Sequence, residues 1–154
     1  LHTAYRRQRQ MCIRDRQVYA DGRFTMMDDS YNASPASMKA ALDVFKGLTG
    51  KRHIAVLADM KELGENYLAY HREVGEYAAN SGVDLIVTLG EASKCLAEGV
   101  RAVKEIPVVE FLDRDEMVKY LEQEVKDGDC ILFKGSNSMG LSAVADKFAE
   151  LAEK

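Results

Sequence analysis

Residues 24–42 read FTMMDDSYNASPASMKAAL. The period of the sequence changes in the middle of this stretch. Phe24–Asp28 is a short run of β-favouring side chains that ends in acids, which predicts a strand. Ser34 and Pro35 then supply a helix N-cap and a proline at the first helical position. Met38, Ala41, Leu42 and Phe45 recur at i, i+3, i+4 and i+7, one apolar stripe of a helix, and Gly47 closes it. Strand, polar turn and helix in immediate succession make a β-α unit.

The unit recurs along the chain. Further strands are predicted at His53–Ala58, Leu85–Leu89, Val108–Phe111 and Cys130–Phe133. Most are continuous apolar runs, as in strands buried on both faces of a parallel sheet. Helices are predicted between and after them. Tyr67, Tyr70, Val74, Tyr77 and Ala78 make one stripe, ending near Gly82. Ala92–Val103 is the next, although Gly99 lies within it. Asp113 and Glu116 form a capping-box-like pair opening the helix that carries Met117, Tyr120, Leu121 and Val125. Leu141, Val144, Ala145, Phe148 and Leu151 mark the last. The expected fold is α/β: a Rossmann-like, open, mostly parallel sheet of five to six strands with helices on both faces.

Composition narrows the class. The chain has 154 residues, 47% hydrophobic and 30% charged, room for one ordinary domain. The net charge of −4 argues against a nucleic-acid partner. No run is long and apolar enough for a membrane helix. Cys12, Cys95 and Cys130 are an odd set without a CxxC pair, which excludes a disulfide scaffold and a cysteine-rich zinc site. They suit a reducing, cytoplasmic location.

Residues 1–16, LHTAYRRQRQMCIRDR, stand apart. Five arginines and one aspartate give this stretch +4, leaving −8 for residues 17–154. It lacks the apolar region of a secretory signal and the serines and apolar face of a transit peptide. Residues 6–16 resemble an in-frame translation of a sequencing adapter. The expectation is that residues 1–16 are not native and that the native domain is 17–154, cut from a longer gene.

Ligands of open parallel sheets bind beyond the carboxyl ends of the strands, and the polar clusters fall there. Asp28 and Asp29 can accept ribose hydroxyls or hold Mg²⁺; acids also simply favour helix N-termini. Asn32 can reach a base or serve as a turn residue. Lys134, Gly135 and Ser136 combine a cation, a close backbone approach and a hydroxyl beside a helix start, which suits a phosphate or carboxylate. The alternative is an ordinary turn with a solvated lysine. Asp59–Glu65 and Gly90–Glu91 are the other two clusters. His71 has no second ligand at metal spacing, so no metal site is expected. No P-loop pattern and no nucleophilic triad is present, so no catalytic residue is assigned. Paired acids after the first strand and a lysine after the fifth also occur in phosphoacceptor receiver modules. The third strand, however, ends in Thr88-Leu89-Gly90 without the aspartate such a module needs.

DDSYNASPASMKAAL (residues 28–42), ADMKELGE (58–65) followed by His71 and Val74-Gly75, and FKGSNSMGL (133–141) resemble, in the same order, three motifs of the C-terminal domain of the Mur ligases. The likeness covers residues 18–154. It implies ATP-dependent ligation with Mg²⁺, within the branch that joins D-Ala-D-Ala to a UDP-N-acetylmuramoyl-tripeptide. It also implies an N-terminal substrate domain and a central P-loop ATPase domain that this stretch lacks, so the chain alone is expected to be inactive. By the same resemblance Asp29 contacts the ATP ribose and Tyr31 and Asn32 lie at the nucleotide. Lys134, Gly135 and Ser136 then face the dipeptide carboxylate or the acyl phosphate. His71 matches a recurrent family histidine without a chemical role. Two departures stand out. Ser34 occupies a position that is usually asparagine, and Ala58 one that is often glycine.

Overall fold

The computed structural model describes residues 9–13, 16–20 and 22–153. Seven strands form one sheet: β1 (Arg9–Ile13), β2 (Arg16–Ala20), β3 (Thr25–Asp29), β4 (Arg52–Ala58), β5 (Leu85–Leu89), β6 (Val108–Phe111) and β7 (Asp129–Lys134). The helices are α1 (Pro35–Lys46), α2 (Tyr67–Ala79), α3 (Ser93–Val103), α4 (Arg114–Glu124) and α5 (Leu141–Glu153). The spatial order is β1-β2-β3-β7-β4-β5-β6. The five strands from β3 to β6 run parallel, and β1 and β2 add an antiparallel hairpin at one edge.

Five of the seven strands are those predicted, within a residue at each end. The other two raise the count above the expected five to six. In Gln17-Val18-Tyr19-Ala20 the first three residues pair with β3, and Val18 is buried. Its half-polar pattern is that of a strand with one face on the core rather than two. Arg9–Ile13 lies within the stretch expected to be foreign. Its ladder to β2 is backbone pairing at an open edge, which any extended segment can make.

The two faces carry separate cores. One side gathers Met27, Ala55, Leu57, Ile86 and Leu132 under α1, α2 and α3. The other gathers Met26, Ile54, Val56, Val87, Ile131 and Phe133 under α4 and α5. Alternation along each strand sends neighbouring residues to opposite cores.

Local signals place the helices. Ser34 Oγ accepts the Ser37 N–H (3.1 Å) and Ser37 Oγ accepts the Ser34 N–H (2.8 Å), a reciprocal capping box ahead of Pro35. Met38, Ala41, Leu42 and Phe45 are all fully buried, as the stripe requires. Asp113 caps α4 by accepting the Glu116 N–H (3.1 Å). In α2 the expected stripe is wrong in part. The packed face is His71, Val74, Gly75, Ala78 and Ala79, while Tyr67 and Tyr70 are exposed. The reason is the approach of α3. A methyl group on Gly75 would sit 1.9 Å from the Leu96 carbonyl oxygen, and one on Gly99 would sit 2.2 Å from that of Arg72. The two glycines let the helix backbones touch, so small residues take the seam and the tyrosines flank it.

Asp28 points to the α5 side. Its Oδ1 accepts the Ser30 N–H (3.1 Å) and hydroxyl (2.5 Å). Burial pushes its carboxyl above the ordinary value; the Ser30 bonds oppose this, and Asp146 and Asp29 add to it. A raised native value means the folded state holds the proton more tightly than the unfolded chain. Stability therefore falls as pH rises through the interval between the two values.

Two outcomes follow from these contacts. Gly75→Ala should cost about 3 kcal/mol, the upper end for overpacking, read as a lowered urea midpoint. Asp28→Asn keeps the acceptor for Ser30 and removes the half-buried charge. It should raise the melting temperature at neutral pH, with the gain vanishing in acid where Asp28 is protonated.

Candidate functional site

Strand β7 defines the site. Its neighbours β3 and β4 both lead into helices on one face of the sheet, whereas β7 leads into α5 on the other. Outgoing chains therefore part on both sides of β7, and the crevice opened by such a switch is where open α/β sheets bind ligands. Three segments converge there: residues 28–34 after β3, 59–66 after β4 and 135–140 after β7.

Lys134 is the last residue of β7 and pairs in register with Asp29. Alternation turns both toward α1. The Lys134 side chain is only 3% exposed, its Nζ lies 3.2 Å from Asp29 Oδ2, and it donates to the Asn32 carbonyl (2.5 Å). Its ammonium is thus engaged inside the protein rather than solvated in an open turn. A buried cation requires such partners, since removing either leaves an uncompensated charge. Tyr31 and Asn32 lie outside this pair. Tyr31 is 81% exposed, a bare aromatic ring at the crevice rim, and Asn32 is exposed with its Oδ1 on the Ala33 N–H (2.9 Å).

The turn after β7 needs its glycine. A methyl group on Gly135 would meet the Ala58 methyl at 2.6 Å. Ala58 is tolerated because its neighbour has no side chain. Ser136 is buried; its N–H donates to the Asp59 carbonyl (3.1 Å) and its Oγ accepts the Lys61 N–H (2.8 Å).

Asp59, from one of the strand-end clusters, and His71, the histidine without an assigned role, organise the site. Asp59 is buried, and its carboxylate accepts the N–H groups of Ala92 (3.3 Å) and Ser93 (2.8 Å) and the Ser93 hydroxyl (2.7 Å). Helix α3 has no side-chain cap of its own, so Asp59 caps it from another strand. Gly90, at φ +118°, makes room, because a methyl group there would lie 2.4 Å from that carboxylate. His71 is fully buried; its Nε2 accepts the Met60 N–H (2.9 Å) and its Nδ1 donates to the Tyr67 carbonyl (2.6 Å). The histidine is a pin between the two ends of the loop.

Between these anchors Glu62 adopts φ +58°, the one left-handed non-glycine among the described residues. Such a conformation costs about 1 kcal/mol or more. Residues 59–64 form one wall of an open cleft of about 500 Å³, closed on the other sides by Tyr67, Leu68, Glu91 and Ala92.

Among the described residues, no three His, Cys, Asp or Glu side chains gather as a metal site. Burial pushes the Cys130 thiol up to about 12, with Asp129 adding to the effect, so it is an inert core residue. The structure brings Asp29, Asn32 and Lys134 into direct contact, with Gly135 and Ser136 adjoining. It leaves Tyr31 exposed, and buries His71 against the backbone of Met60 and Tyr67. The sequence signal for Asp59 was its place at a strand end; its partners lie 33 and 34 residues away.

A profile described as the Mur ligase glutamate ligase domain matches residues 14–137. The UDP-N-acetylmuramoyl-tripeptide–D-alanyl-D-alanine ligase of Haemophilus influenzae is 40% identical over 125 residues, 77% of this chain and 26% of that protein. The ligase of the same name from Bacillus subtilis is 30% identical over 135 residues, 86% of this chain and 30% of that protein. MurF ligase from Thermotoga maritima, solved with ADP, aligns with a TM-score of 0.70 at 27% identity over 88% of this chain and 30% of that one. MurF from Acinetobacter baumannii aligns at 0.74 and 25% identity, over 86% and 30%. The chain therefore spans less than a third of these relatives. A profile match over most of the chain, and a fold shared with solved MurF structures, establish that this chain belongs to the Mur ligase family.

Proposed function

We propose that this chain is the C-terminal domain of a cytoplasmic, ATP-dependent ligase that adds D-Ala-D-Ala to UDP-N-acetylmuramoyl-tripeptide in peptidoglycan precursor synthesis. The observation that carries the reading is the match, over most of the chain, to ligases of that name, combined with a polar crevice at the sheet's switch point. In the overall reaction, phosphoryl transfer from ATP activates the tripeptide carboxylate, the dipeptide amine forms the amide bond, and ADP and phosphate leave.

The residues fit a supporting role in that chemistry. Asp29 accepts a ribose hydroxyl, the open Tyr31 ring offers a face for the base, and the Asn32 amide reaches base or sugar. Lys134, Gly135 and Ser136 face the dipeptide carboxylate or the acyl phosphate. The Lys134 ammonium, held between Asp29 and the Asn32 carbonyl, ties the nucleotide half of the site to the substrate half. Mg²⁺ and the phosphate cradle belong to the central ATPase domain, and His71 is a structural pin. No helix among the described residues is long and apolar enough to cross a membrane.

The test is a chimera in which residues 17–154 replace the matching region of the Haemophilus influenzae ligase. Phosphate release should depend on both the UDP-tripeptide and D-Ala-D-Ala. Asp29→Ala should raise the KM for ATP about tenfold, the loss of one charge-assisted hydrogen bond of about 1.5 kcal/mol. A folded chimera that binds ATP yet releases no phosphate with D-Ala-D-Ala would overturn the assignment.

A further inference from the structure

His71 is fully buried on α2, and both of its ring nitrogens meet main chain. Nδ1 faces the Tyr67 carbonyl (2.6 Å), which can only accept, and Nε2 faces the Met60 N–H (2.9 Å), which can only donate. The two partners fix one tautomer of the neutral ring, with its proton on Nδ1 and a lone pair on Nε2. Packing alone asks for a flat ring of this size. Two opposite backbone partners ask for an imidazole.

The Met60 N–H shares a planar peptide unit with the Asp59 carbonyl. That bond is trans, so the two groups point in opposite directions. The Asp59 carbonyl accepts the Ser136 N–H (3.1 Å). One rigid plane therefore has His71 at one end and the turn after β7 at the other. Rolling the plane about the axis between its Cα atoms breaks both bonds together. The next peptide adds a second tie, the Lys61 N–H on Ser136 Oγ (2.8 Å). A continuous line of hydrogen bonds thus runs from the first turn of α2, through the imidazole and the Asp59–Met60 peptide, to Ser136. Bonds in such a line polarise one another. We infer that His71 is a positioning residue for the 134–136 turn: it sets the peptide plane that receives Ser136. What that turn faces rests on the ligase reading; the coupling to His71 does not.

The coupling is read on the full 154-residue chain, without turnover. Nitrogen resonances of the His71 ring should show a proton on Nδ1 and none on Nε2. Two amide replacements then separate the two bonds. Glutamine carries its oxygen out to the place of Nε2 and accepts from Met60. Asparagine is one methylene shorter and reaches only the Tyr67 carbonyl. His71→Asn should speed hydrogen exchange at the Ser136 amide about tenfold, the scale of one lost hydrogen bond. His71→Gln should return it to the parent rate. In the chimera with the Haemophilus influenzae ligase, the pair should split in the same way. His71→Asn should lower kcat/KM for D-Ala-D-Ala about tenfold with the KM for ATP unchanged, and His71→Gln should restore it. The parent ring spectrum needs no substitution and the exchange rates need no ligase activity, so each can overturn the proposal without the others. A proton on Nε2, equal losses in the two variants, or exchange changes that stop at Met60 would do so. So would a kcat/KM for the dipeptide that His71→Asn leaves intact.

Discussion

The Asp59 carboxylate is the contact on which the ligand-facing edge depends. It leaves β4 buried, where a bare charge would be costly. Its charge is met by the N-terminus of α3, whose Ala92 and Ser93 N–H groups and Ser93 hydroxyl converge on it. Two needs are satisfied together: the acid gains donors and the helix dipole, and an uncapped helix gains an acceptor. The same residue's carbonyl receives the Ser136 N–H, which holds the turn after β7. One side chain and its own backbone thus fix three strand ends relative to one another.

Around that anchor the polar groups divide by depth. The buried ones, Asp59, His71, Ser136 and Lys134, are paired with protein atoms. The exposed ones, Tyr31, Asn32 and Glu62, line the crevice and cleft. Satisfying the first group rigidifies the loops on which the second is carried, which is how a site is preorganised without a rigid surface. Lys134 marks the boundary. Its ammonium is held by Asp29 and the Asn32 carbonyl at the end of the strand that leads into the crevice.

What the sequence makes legible follows from range. The Ser34 cap and Pro35 act within one turn of helix, so the start of α1 is readable from adjacent residues. The five parallel strands are readable because burial on both faces leaves unbroken apolar runs. Strand β2 is not, because Gln17-Val18-Tyr19-Ala20 alternates, and four alternating residues carry little signal. The tyrosine stripe of α2 misleads because its packed face is set by a second helix, through Gly75 and Gly99. Gly99, which reads as a weakness within α3, is the residue that lets Arg72 approach. The polar strand ends mark the edge that carries the crevice, but the division into buried and exposed members depends on partners that are distant in the chain.

Glu62 shows why that division matters. A residue with no buried partner and an unfavourable backbone gains nothing for the fold, and glycine would serve the loop better. The loop meanwhile spends a buried histidine and a serine hydroxyl on holding the two residues that precede it. The loop is pinned on both sides of its one strained residue, and that residue's carboxylate is exposed. The same logic separates Glu62 from Asp28, whose raised carboxyl lies under α5 among its own Ser30 bonds and the field of Asp146. Asp28 is half-buried at the end of its strand, whereas Glu62, in the loop after β4, has its carboxylate in solvent.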